Sequence, residues 1–154
     1  MQIHILSAPI QTGKTTSLQK FCAQQTNCAG ILTPVLNGKR FFYSISSKES
    51  RAMEADENEL NYLEVGKYKF SKSAFEWAIE QIKEAARRET DWLILDEIGP
   101  LELKGKGFAE VLNYLLRANL KVKNLLLVVR SSALAEVYST FEIEEKSTLI
   151  WKGN

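Results

Sequence analysis

Apolar residues change their spacing along the chain, and each change predicts a new element. Ile3, Ile5 and Leu6 form a short apolar run at the start and read as a strand, and residues 17–25 carry a helix-like pattern. Two strand-like runs, 31–36 and 40–45, then flank Asn37-Gly38, a two-residue signal for a tight hairpin turn. Pro34 has no N–H to give a ladder, which places its strand at a sheet edge. Residues 46–59 are polar and read as a loop with a short helical turn. A second turn, Gly66-Lys67, lies between the strand-like runs of 62–70.

The period then lengthens. Phe75, Ala78, Ile79, Ile82 and Ala86 share one face of a helix predicted over 74–89, with Ser73 and Glu76 at capping-box spacing. Phe75 and Trp77 are read as packing residues. The continuous run Trp92-Leu93-Ile94-Leu95 predicts a strand buried on both faces, as in a parallel sheet. Gly99-Pro100 turns the chain, and Phe108, Val111, Leu112 and Leu115 mark another helix reaching about Asn119. Residues 125–129 form a second buried strand, 132–139 a short helix and 148–151 a closing strand. Strands alternating with helices predict an α/β domain with a mostly parallel central sheet and an antiparallel hairpin at one edge, spanning residues 1–154 as one domain.

Composition narrows the chemistry. With 20 basic against 19 acidic side chains there is no global signal for nucleic acid or an anionic membrane surface. No apolar stretch is long enough to span a bilayer, so a cytoplasmic protein is expected, and nothing points to a protein partner. Cys22 and Cys28 match no zinc or redox spacing and are expected to pack as small apolar groups. His4 is the only histidine. That argues against multi-histidine metal sites, and its place in the first strand argues against Ser-His-Asp and Cys-His machinery, leaving lysine, arginine, carboxylates and a hard metal ion.

Residues 8–16, Ala8-Pro9-Ile10-Gln11-Thr12-Gly13-Lys14-Thr15-Thr16, follow the first strand and open the first helix. They fit the phosphate-binding loop pattern with alanine in place of its first glycine. Such a loop turns backbone N–H groups onto phosphate oxygens, and Gly13 permits the close approach. Lys14 is placed to reach the β and γ phosphates, the Thr15 hydroxyl to ligate Mg²⁺, and the helix to aim its positive end at the anion.

Two carboxylates, Asp96 and Glu97, close the buried run that begins at Trp92. Ligands of open α/β sheets bind outside the carboxyl ends of strands, where the first strand also delivers its loop. Asp96 is therefore a candidate to orient Mg²⁺, directly or through water, and Glu97 to position and polarise an attacking water. Arg130 ends the next buried strand. It faces the same side and either stabilises transition-state charge or serves a structural ion pair.

The stretch Asp96-Glu97-Ile98-Gly99-Pro100-Leu101-Glu102-Leu103 resembles the signature of the small nucleoside triphosphatase family that includes the cancer-related nucleoside triphosphatase and its thermophilic relatives. Val65-Gly66-Lys67-Tyr68, followed by Phe75-Glu76, is similar to a second stretch of that family. The resemblance implies a three-layer P-loop NTPase fold and Mg²⁺-dependent hydrolysis of ATP, GTP and other nucleoside triphosphates to diphosphate and phosphate, with little base selectivity. It assigns phosphate and metal binding to Lys14 and Thr15, metal orientation to Asp96 and water activation to Glu97. Ala8 and Gln11 depart from the family, which carries glycine there, and glutamine reaches positive φ at greater cost. Two other readings stay open: a small-molecule kinase on the same architecture, and a nucleotide-dependent switch or accessory subunit.

Overall fold

The structure is a computed structural model and describes residues 1–8 and 14–150. Ten strands and five α-helices are found among them. In chain order they are β1 (Gln2–Ala8), α1 (Lys14–Ala23), β2 (Cys28–Leu32), β3 (Val35–Leu36), β4 (Lys39–Ser44), β5 (Ser50–Ala52), β6 (Tyr62–Val65), β7 (Tyr68–Ser71), α2 (Lys72–Ala86), β8 (Thr90–Ile98), α3 (Pro100–Leu103), α4 (Ala109–Arg117), β9 (Val122–Arg130), α5 (Leu134–Thr140) and β10 (Thr148–Ile150). The main sheet has the order β10-β1-β9-β8-β2-β4-β3, with β5 paired to β4. Its first five strands run parallel, while β3, β4 and β5 pair in antiparallel fashion at one end. The hairpin β6-β7 forms a separate two-stranded sheet.

The period-2 pleat sorts the apolar runs between two layers. Leu93, Leu95, Leu125, Leu127 and Val129 face a core that includes Ala78 and Ile82 of α2 and Val111, Leu112 and Leu115 of α4. Their neighbours Ile94, Leu126 and Val128 face the other side, against Leu18 and Phe21 of α1. Three layers result because β8 and β9 are apolar on both faces, as a parallel strand needs when helices cover both. His4 is a packing residue of this sheet: its Nε2 lies 2.9 Å from Asn124 Oδ1, and its ring stands 4.7 Å from that of Trp92.

Several local expectations are corrected. Run 31–36 is not one strand. It divides into β2, a central parallel strand paired to β8, and β3 at the sheet end, with Pro34 between them, where its carbonyl accepts from the Phe41 N–H and no donor is needed from it. Asn37 and Gly38 both adopt positive φ, as a type I′ hairpin turn requires. Residues 50–52, expected in a loop, pair with β4. The cap of α2 is Ser71 rather than Ser73: its Oγ accepts from the Ala74 N–H at 3.2 Å and donates to Glu59 Oε1 at 2.6 Å. Cys22 and Cys28 border the α1 core, as expected, with their sulfurs 3.2 Å apart. Trp151 of the expected closing strand lies outside the described residues.

Candidate active site

The site grows from an irregularity in β8. Leu95 pairs with Leu127 and Ile98 with Val129, so three steps on β8 match two on β9. One extra residue on a strand is a β-bulge, which bends it and re-aims its side chains. Glu97 sits in this bulge at φ +63°. A non-glycine residue there costs roughly 1–3 kcal/mol and persists only where its surroundings hold it. The bulge also restores the pleat: Leu93, Leu95 and Ile98 all face the α2 core although their spacing alone would alternate.

Asp96, just before the bulge, is 1 % exposed. Its Oδ2 accepts two hydrogen bonds at 3.0 Å, from the Thr15 hydroxyl on α1 and from the Thr33 backbone N–H just beyond β2. Thr15 and Asp96 are 81 positions apart. They meet because β1 and β8 are parallel strands separated by β9 alone, so the segment leaving β1 and the end of β8 open on the same edge. The Thr33 hydroxyl is buried beside them and has no hydrogen-bond partner among the described residues. Thr33 was not predicted as a site residue. Its approach depends on β2 lying next to β8, which the Pro34 pattern obscured.

Glu97 meets a second unpredicted residue. Arg40 of β4 donates to Glu97 Oε2 at 3.3 Å, and its guanidinium stands 6.0 Å from the Tyr68 ring centre. Arg130 ends β9 in register with Ala8, which places it between the first strand and the acidic end of β8. It makes no ion pair among the described residues, so the structural salt bridge considered for it is not found there. Thr33, Arg40, Asp96, Glu97 and Arg130 all line one cavity of about 370 Å³.

A third carboxylate braces the segment after the bulge. Glu102 is 4 % exposed, and its two oxygens accept from the Gly99 and Phe108 N–H groups at 2.9 and 3.0 Å. Burial pushes its carboxyl up to about 7, against the pull of those donated hydrogen bonds. Gly107 closes over it at φ +59°; a Cβ there would come 2.1 Å from Glu102 Oε2.

Of the residues predicted for the phosphate site, Pro9, Ile10, Gln11, Thr12 and Gly13 and the side chains of Ala8 and Lys14 lie outside the described residues. Lys14 is the first residue of α1, and Thr16 is exposed on the same helix. The donors that meet at Asp96 are oxygens, the Thr15 hydroxyl and the carboxylate itself. Such a set fits a hard cation such as Mg²⁺ and not a soft thiolate-seeking metal. Among the described residues no cluster of three or more His, Cys, Asp or Glu side chains provides a metal cage. A cation here would complete its shell with phosphate oxygens and water, as Mg²⁺ commonly does.

A family described as NTPase matches residues 3–151. The chain belongs to that NTPase family. Its members' activity, hydrolysis of nucleoside triphosphates, is accordingly the activity of this NTPase. Two solved structures share its fold. The crystal structure of THEP1 from the hyperthermophile Aquifex aeolicus superposes with a TM-score of 0.70 at 21 % identity, over 97 % of this chain and 88 % of that one. The solution structure of a human cancer-related nucleoside triphosphatase gives 0.69 at 17 % identity, over 98 % and 88 %. No curated protein matches the sequence at a significant level. Among the described residues of this NTPase no helix is long and apolar enough to cross a membrane.

Proposed function

We propose that this NTPase hydrolyses nucleoside 5′-triphosphates, ATP and GTP among them, to the diphosphate and phosphate in a Mg²⁺-dependent reaction that tolerates different bases. The observation that carries the reading is the Thr15–Asp96 hydrogen bond, which joins the start of the helix after the phosphate-binding motif to the acidic end of β8.

In this reading the loop amides and Lys14 hold the β and γ phosphates. When bound, Mg²⁺ supplies neutralisation of charge on the phosphate oxygens. Thr15 and Asp96 are the residues that hold it. Glu97 orients a water in line with the γ phosphorus and takes its proton as the new O–P bond forms. The bond to the bridging oxygen breaks, and its electron pair leaves with the diphosphate. Arg40 keeps the Glu97 carboxylate in place, and Arg130 faces the charge that spreads over the γ oxygens. Base tolerance belongs to the same reading, in which the residues assigned address phosphate, metal and water.

The test is phosphate release by the purified protein on ATP, GTP, CTP and UTP. Turnover within about 10-fold across the four bases supports the reading, since each methylene-sized or hydrogen-bond difference read by a site would change it more. Turnover should stop with EDTA and return with Mg²⁺ or Mn²⁺. Activity that persists in EDTA, or on one base alone, contradicts it.

A further inference from the structure

We propose that the cavity beyond Glu97 is an acceptor site, where a small molecule built on a planar aromatic ring presents a hydroxyl to Glu97 and receives the γ-phosphoryl group. This rests on the triphosphate reading above and adds a second substrate to it.

Position comes first. Thr15 and Asp96 mark the side on which metal and phosphates bind, and Glu97 is the next residue along the chain. In-line attack brings the nucleophile to the γ phosphorus opposite the leaving diphosphate. The sugar and base of the triphosphate hang from that leaving group, so they extend away from the face on which the nucleophile arrives. The cavity has Asp96 and Arg130 at its phosphate end and runs past Glu97 into the α2 core, so its Glu97 end extends on the nucleophile's side.

Size comes second. The cavity measures about 370 Å³. A single attacking water needs only roughly 30 Å³. Small-molecule sites fall in the range of about 300–1,000 Å³.

Chemistry comes third. Phe42, Phe70, Phe75 and Phe108 line the wall and interlock, with centroids 4.7 Å apart for Phe42–Phe75, 5.3 Å for Phe75–Phe108 and 6.3 Å for Phe70–Phe75. Tyr68 lies parallel to Phe70 at 6.0 Å. Edges and faces of this kind make offset-stacked or edge-to-face contacts with another aromatic ring. Against this apolar wall, the Thr33 hydroxyl is 3 % exposed, lines the cavity and lacks a partner among the described residues. A buried hydroxyl left in that state gains from a polar ligand atom. An aromatic alcohol satisfies both features.

The step balances without a redox partner. The acceptor oxygen attacks the γ phosphorus, the new O–P bond forms, and the bond from phosphorus to the bridging oxygen breaks. Its electron pair leaves with the nucleoside diphosphate. The hydroxyl proton passes to Glu97 and then to solvent. With the acceptor absent, water takes its place and hydrolysis is seen.

The test supplies the full chain with Mg-ATP and benzyl alcohol as probe. Cyclohexylmethanol, with the same carbon skeleton but a saturated, non-planar ring, is the control, and ³¹P NMR separates benzyl phosphate from inorganic phosphate. Benzyl phosphate should form about 10-fold faster than cyclohexylmethyl phosphate, the advantage expected of ring-on-ring contact. Val65→Trp, at the hairpin lip of the cavity, should suppress ester formation. Phe70→Leu, which keeps an apolar side chain, should at least halve it and serves if the tryptophan variant fails to fold. Inorganic phosphate without benzyl phosphate overturns the acceptor site and leaves hydrolysis standing. Ester formation unchanged in these variants overturns the cavity as its location. No phosphate in any form overturns the triphosphate reading itself.

Discussion

Arg40 and Glu97 are 57 positions apart in sequence, yet Arg40 Nη1 lies 3.3 Å from Glu97 Oε2. The pair ties the β3-β4 hairpin to the bulge in β8, at a residue whose positive φ needs a restraint from outside its own strand. Both side chains are partly exposed, at 25 % and 35 %, so the pair contributes little to stability and its value lies in orientation.

Arg40→Ala should therefore lower kcat for triphosphate hydrolysis by about 10-fold, the loss of one charge-assisted hydrogen bond, while KM stays near the parent value. Arg40→Lys should recover part of the rate, since lysine keeps the charge but not the planar fork. Steady-state phosphate release checks both. A raised KM with unchanged kcat would instead make Arg40 a binder of ground-state phosphate.

Glu102 gives a pH signature. Its carboxyl sits near 7 in the folded chain, above the ordinary 4.5. Between these values the folded form holds a proton that the unfolded form has lost, so stability from this group is complete below pH 4.5 and declines as pH rises through 7. The full effect is about 3 kcal/mol. Urea denaturation of the parent should show this decline relative to Glu102→Gln, which has no proton to lose. The variant should itself be weaker at acidic pH, because its amide cannot accept from both the Gly99 and the Phe108 N–H groups. Parallel pH curves for the two proteins would contradict the assignment.

Most of this was legible in the sequence, and the parts that were not share a cause. The apolar runs at Leu93–Leu95 and Leu125–Val129 announced buried strands, and Asn37-Gly38 announced its turn, because those signals are local. Thr15 and Asp96 were legible as a pair, and they do hydrogen-bond, because two motifs with known chemistry imply each other. Thr33 and Arg40 were not. Each reaches the site through strand order, β2 beside β8 and β4 beside β2, and no short motif records that order. The bulge at Glu97 was hidden for a similar reason: it appears only against its partner β9. Ser71 caps α2 because β7 ends there and the helix starts at Lys72, a boundary that the Ser73–Glu76 spacing does not record.

Gly30 is a further position whose role is tertiary. It adopts φ +119° in β2, and a Cβ there would come 2.1 Å from the Ile94 carbonyl oxygen of β8. Neither backbone can yield without breaking the parallel ladder between β2 and β8. Gly30→Ala should therefore destabilise the protein by on the order of 3 kcal/mol or more, combining overpacking with an unfavourable φ. Thermal denaturation reads this directly, and a melting temperature equal to the parent's would contradict it.

In the proposed mechanism Glu97 activates the attacking water while other groups hold the triphosphate. Glu97→Gln keeps the side chain's size but removes its charge and most of its basicity, so the transition state loses more than the bound ground state. Single-turnover phosphate release from Mg-ATP, with nucleotide affinity measured on the same protein by calorimetry, separates the two. Hydrolysis should be slower by roughly 10²-fold or more, with affinity within about 3-fold of the parent. Hydrolysis at the parent rate would contradict it and leave Glu97 a structural residue of the bulge.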